Sequence, residues 1–248
     1  MLEGLRTARG VVRSLRTYYW DKQRSAAMDR LYRRLVRPGD LVFDIGAHVG
    51  DRVAAFRRLD ARVVAVEPQP ALVRTLRLLY GRDPDVAIEA TAIGSHSGCV
   101  ELNLNLDNPT VATVSGEFIC AATDAPGWEE QAWTKSVRVP LTTLDTLIAK
   151  HGTPAFIKID VEGFEAEALS GLTSAVPALS FEFTTIQRNI AYDCLRRCAA
   201  LGYTKFNAAL GENQRFEHAN WIDGRDIERW LSALPAHANS GDVYASLA

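Results

Sequence analysis

One stretch constrains this chain more than any other. Phe43-Asp44-Ile45 passes through Gly46-Ala47-His48-Val49-Gly50, from an apolar strand into a helical pattern over 49–59. The pattern then repeats: 62–66 is apolar and β-branched, Glu67-Pro68 stops it, 70–80 reads as a helix and 86–90 as a third strand. Parallel neighbours need crossover connections, so this βαβαβ succession predicts a parallel sheet with helices on both faces. Further strands are expected at 156–160, 179–183, 203–207 and 242–246, and helices at 143–150, 164–169, 189–200 and 225–234. Strands at 100–106 and 136–140 flank a long connection, 107–135, which holds Phe118, Trp128 and Trp133. A connection of that length reads as a lid or a poorly ordered loop. The organisation is a basic helical arm, 1–38, followed by one α/β domain, 39–248.

The glycine turn admits three nucleotide-binding readings. A phosphate loop needs GxxxxGK[ST], and neither the spacing nor the lysine is present. A dinucleotide fingerprint needs a glycine where His48 stands, so that the backbone can approach a pyrophosphate. What remains is D-x-G-x-x-x-G. It supplies a glycine for the turn, a glycine for helix–strand packing and a carboxylate, Asp44, at the strand end. That set suits a ligand with a cationic amino group and no pyrophosphate, whose own carboxylate could sit on N–H groups at the helix N-terminus. S-adenosylmethionine has those features. Glu67, 21 residues after Gly46, closes the second strand where a doubly wound fold places an acid on ribose hydroxyls. Thr91 and Ala92 follow the third strand and would flank an adenine.

Ligands of open parallel sheets bind beyond the carboxyl ends of the strands. The fourth parallel strand ends in Ile157-Lys158-Ile159-Asp160-Val161-Glu162-Gly163-Phe164-Glu165, a charged cluster just past a buried run. Asp160 and Glu162 read as functional, and Glu165 as an exposed acid in the first turn of a helix. Lys158 faces away from Ile157 and Ile159 and suits a buried ion pair. Glu182 interrupts an apolar strand and needs a partner or a catalytic task, since a buried unpaired charge is costly. His48 and His96 stand apart from this chemistry.

The net charge of -2 conceals a split. Residues 1–40 carry ten Lys/Arg against four Asp/Glu, and the remainder eighteen against twenty-six. Arg6, Arg9, Arg13 and Arg16 share one helical side, opposed by Leu5, Val12, Leu15 and Tyr19. An arm packed on the domain or on a partner is the favoured reading; a membrane-surface helix and an organelle presequence stay open, as does self-association. No apolar run approaches the ~18–20 residues that span a bilayer. Four cysteines without a Cys-x-x-Cys pair argue for reduced core thiols and a cytoplasmic protein.

The motifs FDIGAHVG, VVAVEPQP, TAIGSHSG, VPLTTLDTLI, FIKIDVEGFEAEAL and LSFEF occur in that order, and the sequence resembles the FkbM-type S-adenosylmethionine-dependent methyltransferases over residues 41–210. The resemblance implies the class I methyltransferase fold, a Rossmann-like, doubly wound, mostly parallel seven-stranded sheet. It implies S-adenosyl-L-methionine as cofactor and methyl transfer to a hydroxyl of a sugar or secondary metabolite. It places Asp44, Gly46 and Gly50 at the methionine end, with Ala47 and His48 in the same loop, Glu67 at the ribose, Ala92 near the base, and Asp160 and Glu162 beside the reacting centre. The expected acceptor is a small molecule, a carbohydrate or a glycolipid. Asp160 is the first candidate for base or acceptor orientation and Glu162 the second. A divalent ion on Asp160 and Glu182 is an alternative without His or Cys ligand spacing behind it, and no metal is expected. Three other readings stand beside this one. A nucleic-acid or other N-methyltransferase would face two carboxylates that repel phosphate; a cofactor-binding protein without catalysis would not need them; and an NAD-dependent oxidoreductase is disfavoured by His48.

Overall fold

The computed structural model describes residues 2–123 and 125–247. Five strands in chain order build one side of its main sheet: β1 (Leu41–Ile45), β2 (Arg62–Val66), β3 (Val86–Glu89), β7 (Phe156–Ile159) and β8 (Ala178–Thr184). Two more, β9 (Lys205–Leu210) and β10 (Ser240–Ser246), complete it in the order β3-β2-β1-β7-β8-β10-β9. All pairings are parallel except those of β10, which is antiparallel to both β8 and β9. The strands read as near-continuous apolar runs because both sheet faces are covered. Along β1, Val42 packs on one face with α2 (Lys22–Tyr32) and α3 (Asp51–Arg58), while Phe43 and Ile45 pack on the other. That second face is closed by α6 (Leu144–His151), α7 (Glu165–Ser170), α8 (Arg188–Leu201) and α9 (Gly224–Ala233). Chain order reverses between β1 and β7, which lie side by side with Asp44 opposite Lys158. This is the switch point, where an open sheet leaves a crevice.

A second sheet holds β4 (Ala92–Ile93), β6 (Lys135–Thr142) and β5 (Gly98–Leu104), with β5 and β6 antiparallel as the alternation predicts. The described residues of the 107–135 connection carry regular structure and a packed apolar cluster rather than a loose loop. It contains a 3-10 turn at Pro109–Val111 and a helix, α5 (Gly116–Ala122), capped by the Ser115 hydroxyl accepting from Phe118 N–H at 3.0 Å. Val111, Phe118, Ala122 and Trp128 form their own apolar cluster beneath it.

The arm is α1 (Leu2–Tyr19) followed by α2, whose first turn is capped by the Asp21 carboxylate accepting from Arg24 N–H at 2.9 Å. Helix α1 lies on the domain. Arg6 bonds the Asp107 carboxylate, Arg13 the Asp107 carbonyl at 2.6 Å, and Gly10 lets the helix approach Pro109 closely. Tyr19 reaches the Val49 carbonyl and the hydroxyl of Tyr80 on α4 (Pro70–Tyr80). Among the described residues no helix is long and apolar enough to cross a membrane. Cys194 and Cys198 are buried thiols, whereas Cys99 and Cys120 are exposed, on a strand edge and a helix surface rather than in the core.

Candidate active site

The turn after β1 is shaped by close approach. Gly46 takes φ 81°, and a methyl group there would sit 1.8 Å from the Asp160 carbonyl oxygen, so only glycine lets the ends of β1 and β7 meet. His48 also has positive φ, at 50°. The N–H groups of Gly46 and Ala47 both donate to the Val66 carbonyl at 2.9 Å, and that of His48 donates to Glu67 Oε2 at 2.9 Å. These three groups are therefore committed to the protein, so the expected N–H cradle for a ligand carboxylate is not formed by residues 46–48. Gly50 is not among the residues lining the cavity, and its missing side chain makes room for Tyr80 and Leu76.

A cavity of about 280 Å³ opens at the switch point. Asp44, Gly46, Ala47, His48, Glu67, Ala92, Asp160 and Glu162 all line it, so one site collects every other residue singled out in the sequence for cofactor or chemistry. Seven carboxylates line the wall, the others being Asp51, Glu182 and Glu212, against two cationic side chains, Arg52 and Lys158. That balance favours a cationic ligand. Both carboxylate oxygens of Asp44 are buried without a hydrogen-bond partner, and burial pushes its carboxyl up to about 7. Glu67 accepts from His48 N–H and from Gln69 N–H at 2.8 Å, yet burial still pushes it up to about 8. Burial holds the His48 imidazole down at about 4, hence neutral.

The turn after β7 carries the acids. Glu162 takes φ 54°, disfavoured for a residue with a side chain, and Gly163 φ 82°, which glycine adopts readily; Thr113 and Phe118 supply the clamp. Thr113 Oγ1 donates to the Glu162 carbonyl at 2.6 Å, and Phe118 fills the space where Gly163 lacks a side chain. Glu165 is not the exposed acid expected from its place in the first turn of a helix. It is buried, its carboxylate accepts from Val161 and Gly163 N–H, and it fixes the turn from beneath. Lys158, 2% exposed, donates to Asp160 Oδ2 at 2.5 Å, forming the buried pair its position in the strand suggests. Burial pushes the Asp160 carboxyl up, but the Lys158 ammonium outweighs it and holds the group below the usual range. Burial and the neighbouring Asp160 charge instead push Glu162 and Glu182 well above it.

Several wall residues carry no signal in the linear sequence. Tyr18, from the arm, sets its ring edge-on to His48 at 5.4 Å, with the Arg24 guanidinium over its face. Arg52 bonds Asp51 and Glu212, and Arg24 bonds the same two acids. Burial opposes ionisation of Asp51, but the two arginines hold its carboxyl far below the usual range. Trp128 Nε1–H donates to Asn239 Oδ1 at 3.2 Å, linking the 107–135 segment to the residue just before β10. His96 is exposed and lies outside the cavity.

The model of the methyltransferase FkbM domain matches residues 44–234. Similar solved structures include a TehB-like SAM-dependent methyltransferase from Corynebacterium glutamicum, at 12% identity over 94% of this chain and 92% of that one, with a TM-score of 0.48. Another is magnesium protoporphyrin IX methyltransferase from Synechocystis with bound SAM, at 10% identity over 96% and 84%, with a TM-score of 0.45. A third is precorrin-6y C5,15-methyltransferase from Geobacter metallireducens, at 12% identity over 90% and 87%, with a TM-score of 0.42. No curated protein sequence matches the chain.

Proposed function

Because the chain belongs to the FkbM-domain family of S-adenosylmethionine-dependent methyltransferases, we propose that it methylates a hydroxyl group of a small molecule or carbohydrate. The residues fit the cofactor. Asp44 offers two buried, unpartnered oxygens to a cationic group, and each Glu67 oxygen keeps a lone pair for a ribose hydroxyl beyond the N–H bond it already accepts. When bound, S-adenosylmethionine supplies a methyl group on a cationic sulfur, which keeps the bonding pair as the methyl departs. An acceptor hydroxyl must lose its proton as its oxygen bonds the methyl carbon. Glu162 is suited to take that proton, because no donor occupies its carboxylate, and Asp160, fixed by Lys158, is suited to orient the hydroxyl. The observation that carries this reading is the placement of Asp160 and Glu162 in the same cavity wall as Asp44 and Glu67.

The test is transfer of labelled methyl from S-adenosylmethionine to a panel of sugars, glycosides and phenolic or polyketide alcohols, with the product bond assigned by mass spectrometry and NMR. An O-methyl ether is expected. Label on nitrogen or carbon, or no product from any hydroxyl acceptor while amines are methylated, sinks the proposal. Glu162→Gln is expected to lower kcat by about 10²–10⁴-fold with cofactor binding kept, the usual worth of a positioned base.

A further inference from the structure

Asp160, Glu162 and Glu182 each bring one carboxylate oxygen to within 4.8 Å of the other two. They come from two neighbouring strands: Asp160 and Glu162 from the turn after β7, Glu182 from within β8. One ammonium, that of Lys158, serves the group, and it is bonded to Asp160. Among the described residues no cationic side chain pairs with the other two acids, and Glu182 meets Asp160 carboxyl to carboxyl. Glu162 is 7% exposed, and among the described residues no donor reaches its carboxylate. Glu182 Oε2 has neither solvent contact nor a hydrogen-bond partner, and the residue paired with Glu182 across the sheet is another acid, Asp242. Three acids gathered around a single ammonium are costly to hold together, and Glu162 takes its place among them at a positive φ of 54°.

We propose that Asp160, Glu162 and Glu182 form a binding site for a hard divalent cation, Mg²⁺ or Mn²⁺, whose open side faces the acceptor end of the cavity. The ligand chemistry selects the ion class: three carboxylate oxygens and no imidazole or thiolate suit Mg²⁺, Mn²⁺ or Ca²⁺ rather than zinc. The spacing suits it too. Oxygens on opposite sides of such ions lie about 4–5 Å apart, from metal–oxygen distances of about 2.0–2.6 Å. Mg²⁺ and Mn²⁺ are favoured over Ca²⁺ because a small ion is held by a few carboxylates with water in its other positions, whereas Ca²⁺ takes about six to eight oxygens. The linear sequence gives no spacing signal, since the third ligand lies twenty residues from the second and is brought in by the β7–β8 pairing. The role of the ion rests on the proposed O-methylation: it would bind the acceptor oxygen and make its proton more acidic, while the second oxygen of Glu162 takes that proton. Its binding does not rest on that reading.

The experiment is Mn²⁺ titration of the full chain, freed of metal with chelator, followed by electron paramagnetic resonance of free Mn²⁺. One saturable site per chain is expected, displaced by Mg²⁺ and weakened at least tenfold in both Glu182→Gln and Glu162→Gln. Stabilisation of each variant by S-adenosylhomocysteine in thermal denaturation shows that it is folded. The inference is overturned by the absence of saturable Mn²⁺ binding up to about 1 mM, the weak end for such sites. It is equally overturned by Mn²⁺ binding that both variants leave unchanged. If S-adenosylhomocysteine binds and Mn²⁺ does not, the site proposal alone fails; if Mn²⁺ binds but neither S-adenosylmethionine nor S-adenosylhomocysteine does, the methyltransferase reading alone fails.

Discussion

The backbone N–H of His48 donates to Glu67 Oε2 at 2.9 Å, joining the turn after the first strand to the end of the second. The same carboxylate accepts from Gln69 N–H through its other oxygen. Replacing Glu67 with Gln leaves one of these buried N–H groups without an acceptor, which costs about 1–3 kcal/mol. Chemical denaturation of Glu67→Gln is therefore expected to show lower stability together with weaker cofactor binding. Unchanged stability would mean that the turn does not depend on this bond.

Asp44 behaves in the opposite way. Its oxygens have no protein partner, so Asp44→Asn removes a buried charge without removing a bond. The unliganded variant is expected to melt at the same temperature as the parent or higher, while its Kd for S-adenosylmethionine rises at least tenfold. Calorimetric titration and thermal scans on the two proteins check both halves.

The pH dependence has a definite sign. Burial raises Asp44 to about 7 and Glu67 to about 8 in the folded chain, above the values of an exposed chain. The folded state therefore binds more protons between about pH 4 and 8, and unliganded stability falls as pH rises through that window. A cationic ligand needs these carboxylates ionised, so S-adenosylmethionine affinity rises over the upper part of it. Thermal scans at pH 5.5, 7 and 8.5 are expected to show Tm falling without ligand, and a ligand-induced rise in Tm that grows with pH. A ligand effect independent of pH would remove both acids from cofactor binding.

At Gly46 the expectation is structural. A methyl group would meet the Asp160 carbonyl oxygen at 1.8 Å, and φ is 81°. Gly46→Ala has to separate β1 from β7 or abandon the turn, at a cost of about 3 kcal/mol or more. Loss of soluble folded protein, or a sharply reduced Tm, is the expected outcome.

Tyr18 tests whether the arm belongs to the site. Its ring lies against His48 in the cavity wall, although it is 30 residues away in sequence. Tyr18→Ala is expected to weaken cofactor binding several-fold while the main sheet, which does not pack on this ring, keeps its stability. Equal affinity in the variant would make the arm a bystander.

Much of this arrangement was legible in the linear sequence, for identifiable reasons. Strands covered on both faces have to be apolar throughout, so a charge at their ends or within them, as with Asp44, Asp160 and Glu182, stands out. Gly46 and Glu67 could be paired because a β-α-β unit fixes the distance between strand ends. Glu165 was misread because its position in the first turn of a helix is ordinary, and only the fold turns it inward beneath the 160–163 turn. Tyr18, Arg52 and Trp128 were missed for a related reason. Helix periodicity tells which side of a helix is buried but not against what, and these residues reach the cavity through tertiary packing alone. Helix α5 lay hidden in a connection whose length suggested a lid or a loop.

The cavity wall draws on residues as far apart as Tyr18 and Ser240. A chain leaving the ribosome thus exposes its glycine turn and Glu67 long before β10 can slot between β8 and β9. Until that strand pairs, Glu182 of β8 lacks its neighbour Asp242 and the pocket lacks one side. Ligand capture therefore waits on the pairing of β10, and cofactor stabilises only chains in which that strand is in place.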